Sequence, residues 1–324
     1  KMVLAPPIAP AVPVNGVKIK SKTDTPFYIW LFPPKEDMIS RKIRDAGIYE
    51  DLDTDFLQLA ASSDIAKAAS ETWAVDIGAN IGFHTLHMAA MGMNVVAFEP
   101  SPDTASLLRQ SITENNFVYS KKRVTSSGTS RGSVQVVQAA VSGTTDGFGR
   151  LVRHEGSAGM TVLQVKSSNG QVDAEPLPFG IKDVIADNIP LVNPERVVKS
   201  LIYGNRAIPK GDAAPLLLML KVDAEGFELH ALKAINLKRH LFRYLTFELF
   251  PELLIKAGQT DPKDLLLYVQ SFGYICTAHS TSFRKKQELL RTKKEYLDWY
   301  NSYIAPRMPV SKDLHLNLYC GIDV

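Results

Sequence analysis

The chain has 324 residues, of which 45% are hydrophobic and 22% are charged. This composition excludes a disordered tail protein, because it supplies enough apolar surface for a large buried core. The formal net charge of +3 is too small to indicate a polyanionic partner, and we expect no DNA partner. No apolar run reaches the roughly 18 residues of a membrane span, so we expect membrane contact only through an N-terminal anchor that is removed from the chain.

The N-terminal segment is rich in proline. Residues 1–34 contain seven of the nineteen prolines, a composition that favours extended chain over helix. We predict a linker or stalk over residues 1–34. Apolar residues at helical spacing follow, and they predict a helical preface over residues 35–72.

Two similar segments then predict parallel strands. Residues 73–78 form an apolar run that ends in an acid and a glycine, and residues 94–99 repeat this plan after one helix length of sequence. This alternation predicts an α/β fold. Further strands are predicted at the following positions: 134–141, 216–223, 244–250, 274–278 and 314–320.

A long segment separates the third and fourth predicted strands. Residues 142–215 contain several glycines and short β-like pieces, which predict an inserted hairpin and loop without a helix. Because this insertion accounts for the extra length, we assign residues 35–324 to a single domain.

The loop after the first of these strands has the features of a nucleotide site. It reads Asp76-Ile-Gly-Ala-Asn-Ile-Gly, and Glu99 ends the next strand, where an acid can accept the hydroxyls of a ribose. A dinucleotide fold would carry a glycine where Asn80 stands, and the negative charge of Asp76 disfavours a phosphate. The loop therefore favours S-adenosylmethionine, which carries an ammonium group and no phosphate.

A second acidic group follows the strand at 216–223. The segment Lys221-Val-Asp-Ala-Glu-Gly-Phe-Glu places three acids within six residues. Ligands of open α/β sheets bind beyond the carboxyl ends of the strands, so we expect Asp223 and Glu248 to gather near Asp76 and Glu99.

With these motifs the chain resembles the FkbM-type S-adenosylmethionine-dependent methyltransferases. The resemblance rests on the loop at Asp76, on Ala97-Phe-Glu-Pro100, on Ala140-Val-Ser142 and on the block that begins at Lys221. It implies the Rossmann-like class I methyltransferase fold, in which the last strand of a seven-stranded sheet is antiparallel. It also implies O-methylation of a hydroxyl on a carbohydrate or natural product.

The resemblance also implies roles for individual residues. Asp223 and Glu225 are the candidate catalytic bases. Alternatively, Asp223 and Glu248 share a Mg²⁺ ion, because an alcohol needs either a base or a cation to lose its proton. The residues expected at the cofactor are Asp76, Gly78, Ala79, Asn80, Gly82, Phe83, Thr85, Glu99, Pro100, Gln138 and Ala140.

Other features leave alternatives open. A basic stretch near Arg284 motivates an RNA methyltransferase as a second hypothesis, although we favour a hydroxyl-bearing small molecule or glycan. A third hypothesis is a non-catalytic binding protein that keeps the fold. We expect His84 and His87 to be packed or solvent-facing, with no metal-binding role.

The compartment also stays open, between the cytoplasm and the Golgi or secretory lumen. Cys276 and Cys320 lie on strands predicted to be antiparallel neighbours. We expect buried free thiols, with a disulfide only in an oxidising compartment.

Overall fold

The fold is described from a computed structural model. It covers residues 16–33, 35, 37–118, 132–143, 147–154, 161–165, 181–204, 215–258, 260–279, 289–308 and 314–322. Its regular elements are, in chain order, β1 (Val17–Lys20), β2 (Tyr28–Leu31), α1 (Met38–Ala46), α2 (Asp51–Ser62), α3 (Asp64–Ala68), β3 (Thr72–Ile77), α4 (Phe83–Ala90), β4 (Asn94–Phe98), α5 (Pro102–Glu114), β5 (Ser133–Val137), β6 (Ala140–Val141), β7 (Phe148–His154), β8 (Thr161–Val165), β9 (Ile181–Val192), α6 (Pro194–Tyr203), β10 (Leu216–Val222), α7 (Glu228–Ile235), β11 (Tyr244–Leu249), α8 (Pro251–Lys256), α9 (Pro262–Gln270), β12 (Ile275–His279), β13 (Leu289–Leu290), α10 (Lys293–Trp299) and β14 (Leu316–Gly321).

A mixed sheet forms the centre of the fold. Its strand order is β13-β12-β14-β11-β10-β3-β4-β5, and β14 runs antiparallel to both of its neighbours. This order confirms the predicted class I methyltransferase fold with its antiparallel last strand. The two-residue strand β13 pairs with β12 as an eighth strand, and in doing so buries Leu290.

Helices cover both faces of this sheet, so its strands alternate between two apolar layers. Val75 packs in the layer with α7, α9 and α10, whereas its neighbour Ala74 packs in the layer with α1, α2, α4 and α5. Burial on both faces explains why the central strands are continuous apolar runs.

The predicted helical preface forms α1, α2 and α3. Asp37 is the N-cap residue of α1, and its side chain accepts a hydrogen bond from the backbone N–H of Ser40 at 2.7 Å. Asp53 on α2 is buried and accepts hydrogen bonds from the Tyr319 hydroxyl and the Asn317 amide, both at 2.8 Å. These bonds attach the preface to the antiparallel strand β14.

The C-terminal half of the predicted linker belongs to the folded structure. Strands β1 and β2 form a hairpin, and the backbone N–H groups of Tyr28 and Trp30 donate to Asn115 and Ser111 of the α5 region. Phe27 and Ile29 are buried. A linker up to residue 34 is therefore wrong for residues 17–31, and the residues before 16 lie outside the described part.

The insertion contains a hairpin and also a helix. Strands β7 and β8 pair antiparallel, as predicted, within a small sheet of order β6-β9-β7-β8. The expectation that no helix occurs here is wrong, because α6 covers Pro194–Tyr203. Its signals were present in the sequence: Asn193 caps the first turn, Pro194 occupies its first position and Gly204 ends it with a left-handed conformation.

The two cysteines are bonded to each other. Cys276 on β12 lies directly opposite Cys320 on β14, and a disulfide joins them. The expectation of free thiols is therefore wrong, because the antiparallel register brings the two side chains together. Both residues are fully buried.

Within the parts of the chain that the structure describes, no helix combines the length and apolar character needed to cross a membrane.

Candidate functional site

A cavity of about 280 Å³ lies at the carboxyl ends of β3, β4, β10 and β11. The loops after these strands form its floor, α1 and the residues before α2 form one wall, and Leu151 and Leu163 of the insertion form another. The structure therefore brings together the two sequence motifs, the preface and the insertion around one space.

The glycine loop after β3 turns sharply beneath this cavity. Gly78, Asn80 and Gly82 all have positive φ, at 81°, 52° and 91°. A Cβ atom on Gly78 would lie 1.7 Å from the carbonyl oxygen of Asp223, so only glycine permits this approach. The backbone N–H of Asp223 donates to the Ile77 carbonyl at 2.9 Å, which joins the two motif loops directly.

Glu99 is buried at the edge of the cavity. Its carboxylate accepts hydrogen bonds from the backbone N–H groups of Asn80 and Ser101, both at 2.8 Å, and from the Thr104 hydroxyl at 2.7 Å. Burial raises the pKa of Glu99 to about 7, although these three bonds lower it. A carboxylate offers about four acceptor positions, so one is left for a ligand hydroxyl.

Most of the residues predicted at the cofactor line this cavity, namely Gly78, Ala79, Asn80, Gly82, Phe83, Glu99, Pro100 and Ala140. Three others, Asp76, Thr85 and Gln138, are not among the lining residues. The fully buried Asp76 accepts a hydrogen bond from the Thr85 hydroxyl at 2.5 Å, and Gln138 accepts one from Arg109 at 2.9 Å.

Asp76 lies on β3, two residues before the loop. Its Oδ1 atom is buried and has no hydrogen-bond partner among the described residues. Asp76 does not line the cavity, but its negative charge close to the loop favours a cationic ligand over a phosphate. Together with the acceptor position left on Glu99, this charge fits S-adenosylmethionine, whose ammonium group is cationic and whose ribose hydroxyls donate hydrogen bonds.

The second motif places an acid and a lysine side by side. Asp223 accepts a hydrogen bond from the Lys221 ammonium at 3.0 Å. Burial lowers the pKa of Lys221, but the charges of Asp223, Asp76, Glu50 and Asp53 outweigh burial and raise it, so Lys221 is a cation at neutral pH.

Glu225 lies in the same loop and has a positive φ of 51°. Burial, followed by the charges of Glu248 and Asp223, raises the pKa of Glu225 well above its usual range. The third acid of this motif, Glu228, accepts from the backbone N–H groups of Ala224 and Gly226 and so holds the loop.

Glu248 is paired with His315, a residue that the sequence analysis missed. His315 directly precedes β14, and because β14 is antiparallel, its first residues lie at the carboxyl ends of the parallel strands. Its Nε2 atom contacts Glu248 Oε1. This hydrogen bond and the charge of Glu248 raise the pKa of His315 to about 9, whereas burial and then Asp223 raise the pKa of Glu248.

The preface contributes Glu50, which was also missed. Its carboxylate lies 2.9 Å from Nε2 of His84 on α4, and both residues line the cavity. Burial raises the pKa of Glu50, but the hydrogen bond and charge of His84 outweigh it and lower the pKa to about 2. His87 is packed in the apolar layer beside Phe27, whereas His84 is buried at the cavity wall.

One oxygen of each predicted metal ligand is paired with a cation of the chain. Asp223 Oδ2 contacts Lys221, and Glu248 Oε1 contacts His315. Among the described residues, no three His, Cys, Asp or Glu side chains are placed to share a metal ion. Oε2 of Glu248 has no hydrogen-bond partner among the described residues, so the pairing with cations leaves this carboxylate oxygen open.

Solved structures of similar shape include three methyltransferases. An rRNA methylase from Streptococcus thermophilus is 9% identical, with 85% of this chain and 99% of that chain covered and a TM-score of 0.37. An O-methyltransferase from Bacillus cereus in complex with SAH is 12% identical, with 89% and 98% covered and a TM-score of 0.35. A precorrin-6y C5,15-methyltransferase from Geobacter metallireducens is 9% identical, with 84% and 89% covered and a TM-score of 0.34.

Curated proteins gave no match. A family model described as the methyltransferase FkbM domain matches residues 76–276, which is more than half of the chain and includes both motif loops. The chain therefore belongs to the FkbM methyltransferase family, and it is an S-adenosylmethionine-dependent methyltransferase.

Proposed function

We propose that this enzyme transfers a methyl group to a hydroxyl of a carbohydrate or a natural product. The observation that carries the proposal is the pairing of carboxylates with cations at the acceptor side of the cavity. Asp223 with Lys221, and Glu248 with His315, line the same space as Glu225. An alcohol has a pKa far above neutral, so its oxygen attacks a carbon readily only when a base receives its proton.

Bound S-adenosylmethionine supplies an electrophilic methyl group on a sulfonium. Asp223 is the proposed base, because one of its oxygens is held by Lys221 and it lies directly above the glycine loop. The hydroxyl oxygen would form the new bond to the methyl carbon as the bond from that carbon to sulfur breaks, so that S-adenosylhomocysteine would leave as a neutral thioether. The hydroxyl proton would pass to the Asp223 carboxylate, and the Lys221 ammonium would stabilise negative charge that develops on the hydroxyl oxygen. Alignment of the acceptor supplies much of the remaining rate.

For the cofactor, we propose that the loop from Gly78 to Gly82 holds the methionine part, with Asp76 acting from beneath the loop. Glu99 would accept hydrogen bonds from the ribose through its remaining acceptor position. Ala140 would lie at the adenine. This assignment is supported by the residues that line the cavity and by the carboxylates of Asp76 and Glu99 described above.

Two alternatives are less well supported. A Mg²⁺ ion between Asp223 and Glu248 would lie beside Lys221 and His315, which already neutralise one oxygen of each carboxylate. An RNA acceptor would meet five acidic side chains in the cavity lining, against two lysines and two histidines, a balance that does not favour phosphodiester groups. Arg284 lies outside the described residues.

The proposal is tested by transfer of a labelled methyl group to a panel of glycosides, simple alcohols and RNA, with and without a chelator. We expect transfer to a glycoside or another alcohol that resists the chelator and falls about 100-fold or more in Asp223→Asn. Asp264→Asn, on the exposed side of α9, is the matched control and should act as wild type. Transfer to RNA alone, or loss of transfer with the chelator, would contradict the proposal.

A further inference from the structure

Glu50 holds a strained backbone conformation at the cavity wall. Six non-glycine residues have positive φ in the described part of the chain. Four are asparagines, which tolerate this conformation. The other two are Glu50, at 49°, and Glu225, and both line the cavity. Such strain persists where a side chain is needed in a fixed place, and it is concentrated at functional sites.

The strain on Glu50 is not explained by the helix that it precedes. Glu50 occupies the N-cap position of α2, but its side chain makes no capping hydrogen bond there. A glycine would adopt the same backbone conformation without strain, and an aspartate, asparagine or serine would cap the helix better. The requirement is therefore for the glutamate side chain in the cavity.

The carboxylate of Glu50 is fixed from two directions. His84 contacts its Oε2 atom at 2.9 Å, and the side chain of His84 is only 6% exposed, so the surrounding residues hold the ring in place. The helix that follows Glu50 is attached to the sheet by the bonds of Asp53 to β14. The side chain of Glu50 is still 26% exposed, which leaves it accessible from the cavity.

Glu50 also lies on the acceptor side of the site. Its charge acts on Lys221 and His315, the two cations that accompany the proposed base and Glu248. It comes from the preface, whereas the base comes from the end of β10. Two carboxylates from different elements thus line one cavity, an arrangement that suits an acceptor with more than one hydroxyl group.

On the basis of the proposed function, we propose that Glu50 binds the acceptor by receiving a hydrogen bond from a second hydroxyl, next to the one that is methylated. The acceptor is then a polyol such as a sugar, and Glu50 selects for it. His84 is a positioning residue that holds the carboxylate. Hydrogen bonds to a charged group are about twice as strong as neutral ones, which gives this contact a large share of acceptor binding.

The test compares Glu50→Gln with the wild type on a methyl glycoside and on its deoxy analogues, each of which lacks one hydroxyl. The glutamine can still accept from His84, so the pair and the fold are kept. Asp55→Asn, exposed on α2, is the matched control. We expect KM for the glycoside to rise about tenfold or more in Glu50→Gln, while the dissociation constant of S-adenosylhomocysteine stays within about twofold.

The second expectation is a loss of selectivity. The wild type should prefer the glycoside over one deoxy analogue by about tenfold, and Glu50→Gln should lose that preference, which a purely structural role would not cause. Glycine adopts a positive φ without strain, so Glu50→Gly is the replacement variant if Glu50→Gln does not fold. It should show the same loss of selectivity.

Each outcome supports or contradicts the role of Glu50. An unchanged KM in an active Glu50→Gln variant would overturn the role of Glu50 in acceptor binding but leave the proposed function standing. A tenfold weaker cofactor affinity would also overturn that role, because Glu50 would then bind the cofactor. If the wild type methylates no member of the panel, the proposed function fails, and the role of Glu50 fails with it.

Discussion

The close approach of Gly78 to Asp223 predicts what a single added methyl group does to this site. In Gly78→Ala, the new Cβ would lie 1.7 Å from the Asp223 carbonyl oxygen, and real Cβ contacts are not shorter than 3.0 Å. The two backbone segments must therefore separate by more than an ångström. A non-glycine residue at positive φ costs about 1 kcal/mol, and overpacking against backbone costs about 2 kcal/mol more, so we expect a loss of about 3 kcal/mol in unfolding free energy.

Two other glycines separate these contributions. Gly204 also has positive φ, at 59°, but a Cβ there meets nothing within 4 Å, so Gly204→Ala should lose about 1 kcal/mol. Gly143 has open space and no positive φ, so Gly143→Ala should be neutral or slightly stabilising. Denaturant unfolding measures all three variants.

Calorimetry with S-adenosylhomocysteine then tests the site itself. We expect Gly78→Ala to lose binding by about tenfold or more, since the shift displaces the loop that lines the cavity, whereas both control variants should bind as wild type. If Gly78→Ala matches Gly204→Ala in stability and still binds normally, the contact between the two motif loops does not shape the cofactor site.

Three further predictions concern charge and covalent structure. The pKa of His315 is raised to about 9, so its pair with Glu248 should stabilise the fold fully below pH 6.5, and this stabilisation should be lost as the pH rises through 9. Because the imidazole is half exposed, we expect a loss of about 1 kcal/mol in unfolding free energy. Unfolding of the wild type and of His315→Gln across this pH range measures the loss, which the variant should not show. Cys276 and Cys320 close a loop of 44 residues, so reduction should lower the unfolding free energy by about 4 kcal/mol, and thiol titration of the denatured, unreduced protein should find neither thiol free. The pKa of Glu99 is about 7, so affinity for S-adenosylhomocysteine should rise about tenfold from pH 6 to pH 8, and Glu99→Gln should abolish that rise in calorimetry.

The preface and the insertion supply residues that line the proposed acceptor side of the cavity. The loops after β3 and β4 carry the motif residues, but Glu50 comes from the segment before the sheet and Leu151 and Leu163 come from the inserted strands. Substrate selection in this enzyme is therefore expected to depend on elements outside the two motifs. Exchange of the cofactor loop residues and exchange of the preface should have separable effects on cofactor affinity and on acceptor KM.

The sequence by itself determined the α/β fold, the positions of the central strands along the chain and the two loops at the cavity. These features are local: an apolar run buried on both faces, a glycine turn and an acid at the strand end are written in consecutive residues. The same local signals were present for α6, where Asn193, Pro194 and Gly204 mark both ends of a helix. The glycines of the insertion lie outside Pro194–Tyr203, so they do not interrupt this helix.

Only the tertiary structure decided which distant residues complete the site. His315 is 67 residues from Glu248, and Glu50 is 34 residues from His84. The contacts arise because β14 enters the sheet antiparallel, and because α2 is held on β14 by Asp53. The register of β14 likewise set Cys276 against Cys320. Pairings of this kind depend on strand direction, register and packing, and no pattern of neighbouring residues encodes them.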